Sequence, residues 1–120
     1  MYKKGTVYLV DPIYLDFIKN LLLEYPAPFL EIGPGKGHIS RVIPDPKSCV
    51  EKDEIHKPYL KNLDVIWDDI TNIQLNSAFK TCVSNLPFDT SIQILIHCIT
   101  NYPFLKKYVV ILQEQIVKKI

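Results

Sequence analysis

An excess of charge of either sign is the first thing this 120-residue sequence lacks: 14 Lys and Arg face 13 Asp and Glu, for a formal net charge of +1. No strong electrostatic field therefore marks the chain for nucleic acid or a membrane surface. Its lysine pairs, Lys3-Lys4, Lys106-Lys107 and Lys118-Lys119, read as solvated surface. Cysteine is sparse. Cys49, Cys82 and Cys98 are odd in number, and their spacing fits neither a disulfide framework nor a zinc site. All three lie in apolar stretches, as buried reduced thiols of a cytoplasmic protein would. The apolar segment in "MYKKGTVYLVD" is too short for a signal peptide, and no run approaches the length of a membrane span. Repeats, low-complexity tracts and linkers are missing too. With 48% hydrophobic residues, the chain is expected to be one soluble globular domain with a single core.

What is present alternates. Asp11-Pro12 is a helix opening, an N-cap carboxylate followed by a proline whose missing N–H costs nothing at the first helical position. Ile13, Phe17, Ile18, Leu21 and Leu22 then recur at helical spacing as far as "YPAP". "FLEIG" reads as a buried strand, "GHISRVIP" as a short helix, "SCVEKD" as a second strand, and "EIHKPYLKN" as a helix interrupted by Pro58. "DVIWDD" and "TCVSN" are the third and fourth strands. "TSIQILIHCIT" is read as a helix with Asp89, Thr90 and Ser91 as capping candidates, although its alternation also suits a strand. "YVVILQ" is the fifth strand and "EQIVKKI" the start of another helix. Strands alternating with helices predict an α/β fold, a doubly wound parallel sheet with right-handed crossovers. In such a sheet the ligand lies outside the carboxyl ends of the strands, at the switch point.

The strand ends carry chemistry. Glycine is scarce, four residues in all, yet Gly33, Gly35 and Gly37 crowd into "EIGPGKG" after the first strand. Such a loop gives a tight turn, close backbone approach to a ligand and close packing of the next helical segment. It is not a P-loop, since Lys36 lacks the Gly-Lys-Ser/Thr order. Glu51 ends the second strand in "VEKD", where a carboxylate can accept both ribose hydroxyls of an adenosine-containing cofactor. The pair fits either NAD or S-adenosylmethionine. Asp68 and Asp69, at the end of the third strand, offer an acceptor for an adenine amine, or a cap for the segment after them. "NLPF" ends the fourth strand. The Asn85 side-chain oxygen and the Leu86 carbonyl can both accept from an exocyclic amine, and Pro87 holds Leu86 extended. Phe88 adds a ring face on which a base can stack. Together they describe a pocket for an amino-bearing heterocycle.

The order of these motifs resembles the ribosomal RNA adenine N6-dimethylase family, the small-subunit dimethyladenosine transferases and the macrolide-resistance methylases. The matching stretches are "GTVYLVDPIYLDFI", "FLEIGPGKGHIS", "VEKD", "WDDI", "VSNLPFDTS" and "VVILQEQIVKKI", and "VSNLPF" looks closest to archaeal and eukaryotic members. The resemblance implies a class I methyltransferase domain over residues 1–120, without the family's last strands and C-terminal helical domain. It implies S-adenosylmethionine as cofactor, bound by Leu9, Gly33, Gly35, Glu51, Asp69 and Asn85. It also implies a target adenine gripped by Asn85, Leu86 and Phe88 with Pro87 between them, and small-subunit rRNA or a pre-ribosomal particle as partner, with no metal. Where the family usually has Gln-Asn or Gln-His, this chain has Thr6-Val7, so a side-chain contact from that turn to the cofactor is not expected. Two other readings remain at this point: a non-catalytic RNA-binding or ribosome-assembly module on the same fold, and an NAD-dependent oxidoreductase, which leaves "NLPF" unexplained.

Overall fold

A computed structural model of the protein describes residues 11–111; Leu9, Thr6-Val7 and the expected last helix lie outside them. Helix α1 (Pro12–Leu22) starts as expected: the Asp11 carboxylate accepts the Ile13 N–H at 2.9 Å, with Pro12 in the first turn. Its buried stripe is narrower than the periodicity suggested. Ile18 and Leu22 are buried, whereas Ile13 and Phe17 are exposed, because only one side of the helix meets the sheet.

Five short strands come next: β1 (Phe29–Ile32), β2 (Lys47–Glu51), β3 (Val65–Trp67), β4 (Thr81–Ser84) and β5 (Lys107–Val110). All pair in parallel in the order β3-β2-β1-β4-β5. The chain winds from β1 outward to β3 and returns to β4, so the switch point falls between β1 and β4. Alternation along β1 divides the core. Leu30 and Ile32 face a cluster with Val50, Cys82, Cys98 and Tyr102, and Phe29 faces one with Ile18, Leu22, Ile39 and Val83. Cys49, Cys82 and Cys98 are free and buried, as expected for packed thiols. None of the described helices is long and apolar enough to cross a membrane.

Two expected helices are tighter turns. "GHISRVIP" forms only a three-residue 3₁₀ turn, Ser40–Val42, since Gly37 and Pro44 leave no room for a longer helix. "EIHKPYLKN" forms a 3₁₀ helix, Glu54–Tyr59, containing Pro58. Proline has no N–H, and in an α-helix its ring would press on the carbonyl four residues back, so the segment tightens. Helix α2 (Phe88–Asn101) settles the ambiguity of "TSIQILIHCIT" in favour of helix, but it begins earlier than the capping candidates. The Ser91 N–H already donates to the Pro87 carbonyl at 2.9 Å, so Asp89, Thr90 and Ser91 sit inside the first turn.

Candidate active site

A cavity of about 390 Å³ opens at the carboxyl ends of the strands, within the size range of small-molecule and cofactor sites, roughly 300–1,000 Å³. The loop after β1 forms its floor with Gly33 and Gly35. Glu51 closes β2 on one side, Asp68 and Asp69 come after β3, and Asn85, Leu86 and Pro87 leave β4 on the other side. Among the described residues, the sequence-predicted site is thus brought together except for Phe88, which opens α2, is 42% exposed and does not line the cavity. That exposure excludes a core role for the ring. It suits contact with something arriving from outside.

Gly33 and Leu86 join the two halves of the site. Gly33 has φ of +72°, and a Cβ at this position would fall on the Leu86 side chain. Left-handed backbone costs an L-residue about 1–2 kcal/mol, and here the Leu86 side chain would also have to move. Gly33→Ala is therefore expected to lower stability by at least about 1 kcal/mol in urea denaturation and to disturb the β4 loop together with the glycine loop. A variant of wild-type stability would remove this contact as the reason for glycine.

Glu51 is buried and already organised. Its Oε1 accepts the Gly35 N–H at 3.1 Å and its Oε2 accepts the Asp53 N–H at 2.9 Å. An ionised carboxylate has about four acceptor sites, so each oxygen keeps acceptor capacity for a ligand. Of the two roles its sequence position allowed, Asp69 fills the capping one. It lines the cavity, and it caps the turn Ile70–Asn72 by accepting from the Thr71 N–H at 2.9 Å and the Thr71 hydroxyl at 2.8 Å. Those bonds, the backbone one first, hold its carboxyl below the usual carboxylate range. Asp68 instead accepts the N–H of Asp69.

Three features were not foreseen. Glu31 lies in the middle of β1, fully buried, taking hydrogen bonds from the Ser40 hydroxyl and from the Cys49 thiol. Burial pushes its carboxyl up to about 7, against the opposing pull of those bonds. An acid inside the apolar run "FLEI" was the signal available for it. Ser91, buried in the first turn of α2, donates its hydroxyl to the Leu86 carbonyl at 3.1 Å. The third is collective: among the described residues, Glu31, Glu51, Asp53, Asp68 and Asp69 line the cavity, against the single lysine Lys52 and no arginine. Only folding shows that acids so far apart in sequence share a wall. Among the described residues, no group of three or more His, Cys, Asp or Glu is placed to hold a metal ion.

A parallel sheet in this order, with a glycine turn after β1 and an acid closing β2, defines a Rossmann-like domain of the class I methyltransferase type. The fold matches the 23S rRNA methyltransferase ErmE with a TM-score of 0.73 at 20% identity, covering 94% of this chain and 50% of that one. It also matches a dimethyladenosine transferase from Plasmodium falciparum, with a TM-score of 0.66 at 20% identity over 94% of this chain and 46% of that one. In sequence, residues 2–120 match the ribosomal RNA adenine dimethylase family, and the chain belongs to that family. A ribosomal RNA small subunit methyltransferase A from Desulforapulum autotrophicum is 30% identical over 109 residues, 76% of this chain and 38% of the relative. The chain thus spans well under half the length of that relative.

Proposed function

We propose that this domain binds S-adenosylmethionine in the cavity and methylates the N6 amine of adenines in small-subunit rRNA, to dimethyladenosine. The observation that carries the reading is the pairing of a carboxylate-lined cofactor cavity with the Asn85-Leu86 acceptors across the glycine loop. The four cavity acids other than the buried Glu31 favour a ligand bearing a sulfonium and an ammonium over one bearing a pyrophosphate. A dinucleotide also wants the N-terminus of a real helix after the glycine loop. Here that segment is a three-residue turn.

When bound, S-adenosylmethionine supplies an activated methyl group and a neutral leaving group, so the protein's task is alignment. Glu51 offers the ribose hydroxyls its remaining acceptor sites, and Asp69 offers the cofactor adenine an acceptor. Asn85 Oδ1 and the Leu86 carbonyl accept hydrogen bonds from the N–H groups of the target amine, which draws its lone pair out of conjugation with the ring, and the methylated nitrogen then sheds one proton to water. Phe88 gives an exposed face for the base, which must leave its stack to reach these groups. Small-subunit rRNA, naked or in a pre-ribosomal particle, is the proposed substrate.

Parallel calorimetric titrations with S-adenosylmethionine and with NAD test the cofactor: binding of the first and no heat from the second is expected. Methyl transfer to small-subunit rRNA, with nucleoside analysis of the product, is expected to yield N6-methylated and N6,N6-dimethylated adenosine. Binding of NAD alone, or label on any other base, overturns the reading. Cofactor binding with no transfer to naked rRNA or to particles would instead favour the non-catalytic assembly module.

A further inference from the structure

We infer that Ser91 is a positioning residue that aims the Leu86 carbonyl at the target amine, an inference that rests on the methyl-transfer reading above. The Leu86–Pro87 peptide is unusual in having only one polar handle. Proline has no N–H, so no donor on the far side of this peptide can fix the plane in which the Leu86 oxygen lies. Proline restricts the backbone at Leu86 and Pro87 to a narrow range, and within it the direction of the oxygen is set by what the oxygen itself accepts, which among the described residues is the Ser91 hydroxyl at 3.1 Å. Ser91 holds the next carbonyl as well, since its N–H donates to Pro87 O at 2.9 Å. One residue thus clamps two successive carbonyls of the loop, the first by its side chain and the second by its backbone.

The clamp is well placed to persist. Ser91 is 2% exposed, so water does not compete for its hydroxyl. On the other side of the loop, the Leu86 side chain fills the space over Gly33. Leu86 is therefore held at both ends: its apolar end against the glycine loop, its carbonyl against the first turn of α2. A carbonyl oxygen has two lone pairs. With one committed to Ser91, the other points in a fixed direction and serves the amine. Without the hydroxyl the Leu86 oxygen drifts within the range that Pro87 allows, and the acceptor loses its aim while the cofactor wall of Glu51 and Gly35 is untouched. The effect should fall on the rate of transfer and leave cofactor affinity alone.

Leu86–Pro87 is the one Leu-Pro pair in the sequence, so leucine labelled with ¹³C at the carbonyl and proline labelled with ¹⁵N give a single coupled resonance, from the Leu86 carbonyl. That resonance is compared in the wild type and in Ser91→Ala, Ser91→Cys and Ser91→Thr, alongside kcat and KM for rRNA and Kd for S-adenosylmethionine. Alanine, and cysteine with its weak donor, are expected to shift the resonance upfield and to lower kcat by about five- to tenfold, the effect of one hydrogen bond. Kd should stay within about twofold, the remaining cofactor contacts being intact, and Thr, which keeps the hydroxyl, should recover both signal and rate. An unshifted resonance in Ser91→Ala and Ser91→Cys, or wild-type kcat in those variants, or a Thr variant no better than Ala, overturns the role of Ser91 while leaving the methyl-transfer reading standing. A wild-type protein that transfers no methyl group to any rRNA substrate sinks that reading, and the role of Ser91 in aiming the acceptor with it.

Discussion

Glu31→Gln should nearly abolish a loss of stability that the wild-type protein suffers between about pH 4.5 and pH 7, a loss of about 3 kcal/mol at its full extent. Glu31 is buried between Ser40 and Cys49, and burial raises its carboxyl from 4.5 to about 7 in the folded protein. The folded state therefore holds this proton more tightly than the unfolded chain does. The stabilisation is complete below 4.5, declines as pH rises, and is gone above about 7, where folding requires a buried carboxylate. Lys47 on the adjacent strand does not remove the difficulty, because its ammonium is spent on the carbonyls of Ser40 at 2.7 Å and Ile43 at 2.8 Å. Glutamine keeps an acceptor for the Ser40 hydroxyl and has no charge to bury. Urea denaturation of both proteins at pH 5, 6, 7 and 8 makes the comparison, and other carboxylates cancel in the difference. Parallel stability curves would mean that Glu31 is accommodated as an anion.

Glu51→Ala should weaken S-adenosylmethionine binding by roughly 1.5–3 kcal/mol, about one to two decades in Kd, the range for hydrogen bonds to a charged acceptor. Two losses combine. The ribose hydroxyls lose their acceptor, and Gly35 and Asp53 lose the carboxylate that now holds their N–H groups. Glu51→Gln separates them, since an amide keeps one acceptor oxygen and surrenders the charge, and its Kd should lie between those of wild type and Ala. Isothermal titration reads all three proteins. A Kd unchanged in the alanine variant would remove Glu51 from the cofactor site.

Much of this was legible in advance because the signals are local. The Asp11 cap, the glycine cluster and Glu51 at the end of β2 act over a few residues, and each stands where its pattern put it. The misjudged segments share one cause. "GHISRVIP" and "EIHKPYLKN" have helical composition, but Pro44 and Pro58 leave too little uninterrupted chain for an α-helix. At α2 the polar run Asp89-Thr90-Ser91 looked like a cap, whereas the helix already opens at Phe88 and turns Ser91 back onto the loop before it.

By itself, the sequence determined the α/β class and the placement of Glu51, Asp69 and Asn85 at or just after strand ends, because strand and turn chemistry depend on neighbours in the chain. Only the tertiary structure decided that Leu86 rests on Gly33, that Ser91 and not a cap holds the Leu86 carbonyl, that Phe88 stands outside the cavity, and that five acids share one wall. The same holds for Glu31, whose proton affinity comes from being enclosed. Close approach, exposure and desolvation are set by parts of the chain distant in sequence, and they acquire values only once the sheet has brought those parts together.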